Sequence, residues 1–163
     1  MKRATSLLFA LALMGVLAGT AFAAASDTIT VNYEVQAINE LNIDDASVTL
    51  TVNSATAGAV PDQASDATTY DITTNCAADA KKITGALNTT MPGGLTLKAN
   101  MTAPTGATSA GATTLTDVAA NLVTLIDGVA EANIALAFTL DATIAAGVVG
   151  AASKTCTLTL TNT

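Results

Sequence analysis

The sequence predicts an all-β protein, a single Ig-like or Greek-key β-sandwich of about seven to nine strands. Apolar and polar residues alternate in most segments after residue 27, as expected of strands with one buried face. Threonine and alanine dominate the composition, and threonine favours strands. Long connections at 53–66 and 103–114 suit crossings between two sheets better than a simple meander.

The first 23 residues have the features of a secretory signal peptide. A basic start and an apolar run over 7–17 precede Ala21-Phe22-Ala23, which predicts cleavage after Ala23, with cleavage after Ala25 as the alternative. The apolar run is shorter than the roughly 20 residues of a membrane-spanning helix. We therefore expect residues 24–163 to be one domain that is secreted to the extracellular space or cell surface, without membrane insertion after signal removal.

The most regular alternation lies at 28–43, which predicts a long N-terminal strand. Its apolar face begins with Ile29, Val31, Tyr33, Val35 and Ala37. An unpaired strand with such a face invites edge pairing, so a partner must cover it. Two partners remain open: the sandwich of the same chain, or a neighbouring subunit that receives this candidate inter-subunit strand.

Further strands are predicted in order along the chain. The alternating runs lie at 48–52, 68–76, 83–87, 95–101, 134–140 and 155–161. Met91-Pro92-Gly93-Gly94 predicts a hairpin turn between two of them. Residues 116–126 fit a strand but also a helical turn followed by a strand, and we favour the latter, which gives the fold one short helix.

Cys76 and Cys156 are the only cysteines of the chain. In an oxidising compartment such a pair most often forms one disulfide, and each cysteine lies in phase with the apolar face of its run. We therefore expect a Cys76–Cys156 disulfide, with two buried free thiols as the alternative. Two cysteines without histidine do not make a structural zinc site, and no motif points to another metal or to a cofactor.

Charge and composition exclude several classes of function. Removal of Lys2 and Arg3 with the signal peptide lowers the formal net charge from −7 to −9, so nucleic acid and anionic membrane surfaces are poor partners. The chain has no histidine, which removes the usual general base, and no enzyme is expected. Few aromatic residues are present, whereas glycan- and peptide-binding surfaces usually rely on them.

The signal peptide, the acidic Thr/Ala-rich chain, the alternating first segment and the final Thr155-x-Thr157-x-Thr159 strand together resemble secreted bacterial fimbrial or filament subunits. For chaperone–usher fimbriae, the resemblance implies that the segment from Ile29 to Ala37 inserts into a groove of the next subunit. The chain departs from that pattern in its widely separated cysteines. It also lacks a break between Ala37 and Ile43 that would serve as a linker.

Two functions follow as hypotheses. The first is a structural subunit of an extracellular filament, pilus or surface layer that assembles by β-strand pairing or donation, with itself or other surface proteins as partner. The alternative is a monomeric secreted β-sandwich that binds a glycan or a surface partner through the loops at 53–66 and 103–114.

Overall fold

The structure, a computed structural model, describes residues 25–76 and 80–163. The expected signal peptide at 1–23 lies outside the described residues. The chain divides into two compact units after Glu34. In the first unit, residues 25–34 carry no regular secondary structure and are exposed. The second unit, Val35–Thr163, contains every strand of the described residues.

Nine strands in the described part of the chain form two antiparallel sheets. They are β1 (Asn39–Ile43), β2 (Ala64–Thr74), β3 (Lys81–Leu87), β4 (Leu95–Met101), β5 (Thr108–Ser109), β6 (Ala112–Thr114), β7 (Ala120–Ile126), β8 (Val129–Ala142) and β9 (Cys156–Asn162). The first sheet has the order β1-β2-β8-β4-β6 and the second β5-β7-β3-β9. The predicted all-β sandwich and its number of strands are confirmed.

The core lies between the two sheets and is built by alternation. In β3, Lys81, Ile83, Gly85 and Leu87 are buried, whereas the residues between them are half-buried. The buried apolar side chains come from strands of both sheets and from Leu115, which directly follows β6: Tyr70, Ile72, Ile83, Leu87, Leu97, Ala99, Met101, Leu115, Leu122, Val123, Ile126, Ile134, Leu136 and Phe138. One contiguous core of this kind supplies most of the free energy that stabilises a sandwich.

The ambiguous stretch at 116–126 is a turn followed by β7, and it contains no α-helix. The Val118 amide donates to Thr116 Oγ1 at 3.1 Å, which closes a local turn instead of capping a helix. In β7, the partner register to β3 shifts between Lys81 and Ile83, and Leu125 adopts a φ of 58°. This bulge changes the phase of the buried residues and so imitates helical spacing in the sequence.

The turn at 91–94 is formed, but the hairpin prediction is wrong. The Leu95 amide donates to the Pro92 carbonyl at 3.1 Å, and Gly94 has a φ of 81°. The turn joins β3 to β4, which belong to different sheets, so it crosses the sandwich. Gly94 also contacts the segment that follows β8. Its carbonyl accepts a hydrogen bond from the Thr143 amide at 2.8 Å, next to the short 3-10 helix Ile144–Ala146.

We predict that Gly94→Ala destabilises the fold and that Gly93→Ala does not. A Cβ on Gly94 would lie 2.5 Å from the Ala146 nitrogen, at a φ that favours glycine, whereas a Cβ on Gly93 meets nothing within 4 Å. The expected loss for Gly94→Ala is about 2 kcal/mol or more, against less than about 0.5 kcal/mol for Gly93→Ala. Urea unfolding of the two variants measures it, and equal midpoints would contradict it.

We predict that the protein loses stability in alkali because Tyr70 ionises. Its hydroxyl donates to the Thr102 carbonyl at 2.6 Å, and burial, followed by the negative charge of Glu131, raises the pKa of Tyr70 from 10.0 to about 12. A raised pKa in the folded state stabilises the protein fully below pH 10, and this contribution is lost between about pH 10 and 12. In Tyr70→Phe, the free energy of unfolding should fall less steeply over this range. Identical slopes for both proteins would refute the assignment.

Candidate functional site

The Val35–Thr163 unit has an apolar groove of about 610 Å³. Its apolar lining comes from both sheets and from the segment after β1: Leu41, Ile43, Val48, Leu50, Met91, Leu97, Leu136, Phe138, Leu140, Cys156 and Leu158. Leu97, Leu136 and Phe138 are buried, so the groove reaches down to the core. We refer to this feature as the groove.

The walls of the groove are only half-buried. Leu41 and Ile43 of β1, Val48 and Leu50, and Leu158 of β9 pack against the core while keeping part of their surface in solvent. Each of these side chains would gain free energy if an apolar partner covered the rest of its surface. The groove is therefore a place where burial is incomplete.

Val48 and Leu50 line the groove but, like Val52 after them, belong to no strand. These three are half-buried and the intervening Thr49 and Thr51 are exposed, as the alternation predicts. In place of strand pairing, the Thr49 amide donates to Asp66 Oδ2 at 2.7 Å. The sequence thus correctly predicted which residues face inward, but this segment is not a strand.

Beside the groove runs the open edge of β9. This strand lies at the end of the second sheet and pairs only with β3, from Lys81↔Asn162 to Leu87↔Cys156. Its sequence, Cys-Thr-Leu-Thr-Leu-Thr-Asn, contains neither a charged residue nor a proline. Proteins that avoid edge-to-edge association usually place such residues on their edge strands. The β9 edge lacks that protection in the part of the chain that the structure describes.

Polar contacts fasten the start of β9 next to the groove. Lys154 lines the groove, and its Nζ donates to Thr89 Oγ1. The Thr155 amide donates to Asn88 Oδ1 at 3.2 Å, and the Asn88 amide donates back to the Thr155 carbonyl at 2.9 Å. Asp45 also lines the groove, so its lining includes one positive and one negative side chain.

The predicted Cys76–Cys156 disulfide is wrong, because both cysteines are free thiols. Cys156 pairs with Leu87 at the far end of β3, whereas Cys76 precedes Lys81 at the near end. A seven-residue strand spans roughly 20 Å, while a disulfide requires Cα atoms within about 7 Å. Alternation correctly placed both thiols on the apolar faces of their segments. It gives the face on which a residue lies, however, and not where along the strand that residue meets its neighbours. Burial raises the pKa of the Cys156 thiol.

The predicted inter-subunit strand lies at the surface. Ile29, Val31, Tyr33 and Val35 are 88%, 71%, 92% and 80% exposed, and Ala37 is exposed as well. Ladder pairing within the chain begins only at Asn39, where β1 joins β2. Two features therefore call for a partner: the row of four large apolar side chains, which the sequence showed, and the groove, which it did not.

Asn75 marks the point where the chain enters the sandwich. Its Oδ1 accepts from the Ile38 amide at 2.8 Å and its Nδ2 donates to the Gln36 carbonyl at 2.8 Å. This side chain follows β2 directly and holds the backbone just before β1. It thereby fixes where the paired part of the segment begins.

No family model matches the chain, and a comparison with curated proteins finds no similar one. Among the described residues, no helix is long and apolar enough to cross a membrane. Likewise, the described residues contain no group of three His, Cys, Asp or Glu side chains able to hold a metal ion. The groove, the β9 edge and the exposed segment are the features of the described residues that bear on function.

We predict two alkylatable thiols in the folded protein without prior reduction. Cys156 should react more slowly than it does in denaturant, because burial keeps its thiol protonated and partly covered. Mass spectrometry after maleimide treatment, with and without denaturant, measures both rates. A peptide in which Cys76 and Cys156 are linked, found in a non-reducing digest, would contradict the free thiols.

Proposed function

We propose that the protein is a structural subunit of an extracellular filament, pilus or surface layer, without enzymatic activity, and that its copies join by β-strand donation. The segment from Ile29 to Ala37 of one copy would enter the groove of the next and pair with its β9 edge. The observation that carries the proposal is the coexistence of an exposed apolar row and an apolar groove on one chain.

The donor side is supported by the cost of its exposure. Fully burying a Val or Ile side chain stabilises by about 1.5–3 kcal/mol, so Ile29, Val31 and Val35 offer several kcal/mol on association. Part of this is offset by the lost freedom of two joined molecules. The alternating Thr30, Asn32 and Glu34 give the segment a polar face that can remain in water.

The acceptor side is supported by the β9 edge. An added strand forms main-chain hydrogen bonds with an open edge, and side chains of alternate residues enter pockets beside it. β9 has seven residues, and the stretch Ile29–Val35 has the same length. The half-buried walls of the groove, including Leu41, Val48 and Leu158, would become covered on the same event.

Charge supports the same proposal. The exported chain is strongly acidic, which keeps free subunits soluble and disfavours non-specific association. The contact residues Ile29, Val31, Tyr33 and Val35 are uncharged, as are the residues of β9. Repulsion between subunits therefore leaves specific strand pairing as the favoured contact.

A pair of matched substitutions tests the proposal. Val31→Glu places a carboxylate on the apolar face of the segment, and Asn32→Glu places the same group on the polar face. An unpaired buried charge costs several kcal/mol, so Val31→Glu should raise the concentration needed for assembly at least about 100-fold, whereas Asn32→Glu should leave it nearly unchanged. Light scattering and negative-stain images of the exported protein measure assembly.

Circular dichroism is the control for folding, since neither position belongs to a strand of the sandwich. A full-length protein that stays monomeric at every concentration would overturn the proposal and favour the monomeric binding protein instead. Equal assembly of both variants would overturn strand donation by this segment.

A further inference from the structure

We infer that Tyr33 sets the register in which the segment of one copy occupies the groove of the next. This inference rests on the proposed function and adds to it a residue that determines specificity. Tyr33 is the only aromatic residue in residues 25–38 and, at 92%, is the most exposed of the four large side chains in its row.

A slip of the donated segment by one residue is prevented by polarity. It would turn Thr30, Asn32 and Glu34 toward the apolar lining of the groove. Because every side chain changes face in such a slip, the apolar row would at the same time be exposed to solvent. This exclusion follows from the alternation alone and does not need Tyr33.

A slip by two residues keeps the apolar row inward and has to be prevented differently. Ile29, Val31 and Val35 are all β-branched and of similar size, so they can replace one another in neighbouring subsites. Asp27 stands in the same phase and opposes a slip that would bring it into the groove. Ala37, at the other end of the row, is small and apolar and does not oppose such a slip. Among the four large apolar residues of the row, only Tyr33 differs enough in size and shape to distinguish the subsites.

The groove contains groups that suit a tyrosine. Phe138 and Met91 both line it, and aromatic rings and thioethers make favourable contacts with an aromatic side chain. Ser153 and Thr155, which also line the groove, offer hydroxyl groups to the phenol. A tyrosine buried at an interface usually finds a hydrogen-bonding partner of this kind.

Cys156 provides a native probe of the register, because its thiol lines the groove. Donor chains would carry Cys76→Ser and Cys156→Ser with one new cysteine, placed in turn at each odd position from 27 to 37 except that of the tyrosine. Acceptor chains would carry Cys76→Ser alone and keep Cys156. After the two are mixed, assembled and mildly oxidised, donor–acceptor bonds can form only between molecules, and a cysteine at Asn32 serves as the opposite-face control.

We expect one odd position to link with Cys156 on the order of tenfold faster than the others, and the Asn32→Cys control to link slowly. The decisive variant exchanges two residues, Val31→Tyr with Tyr33→Val, and so keeps the composition of the segment. If Tyr33 sets the register, the preferred linking position moves by two residues toward the start of the chain. Tyr33→Phe should leave the preferred position unchanged.

The possible outcomes distinguish the role of Tyr33 from strand donation itself. A preferred position that does not move in the exchanged variant would overturn the role of Tyr33 and leave strand donation intact. Polymers in which no donor cysteine links to Cys156 would show that another occupant fills the groove, and would overturn the inference as well. A protein that forms no polymers would overturn both.

Discussion

The pairing of β8 with two neighbours is the interaction on which the rest of the structure depends. This strand runs over fourteen residues and pairs with β2 along one edge and β4 along the other. Its inward side chains Leu136 and Phe138 belong to the core and also form the floor of the groove. The same strand therefore contributes both to the stability of the sandwich and to the shape of the groove.

An uncharged β9 edge beside an apolar groove is a liability in a protein that works as a monomer. The β1 edge of the first sheet shows more ordinary protection, since β1 carries Glu40 and is short. The β9 edge differs from the β1 edge because it has no charged residue. An edge kept free of charge and proline next to half-buried leucines is the arrangement that strand addition requires.

Much of the fold could be predicted from the sequence, because alternation reports which side of a strand faces the core. It identified the inward residues of β3 and of β9, and even those of the 48–52 segment, which forms no ladder. Alternation failed in two cases. The bulge at Leu125 shifted the pattern so that it resembled a helix, and the pattern could not show that the cysteines lie toward opposite ends of β3. The groove was invisible because its lining comes from residues between 41 and 158, which only the tertiary fold brings together.

The free thiols have a mechanical consequence for any fibre built in the proposed way. Tension applied through a strand added to β9 would pass to β3 across seven residue pairs, and no covalent bond joins these two strands. The contacts of Thr155 with Asn88, and of Lys154 with Thr89, lie where the strand begins and would share that tension at one end. Such a fibre would yield under force by the parting of hydrogen bonds and could recover its strength once the bonds re-formed.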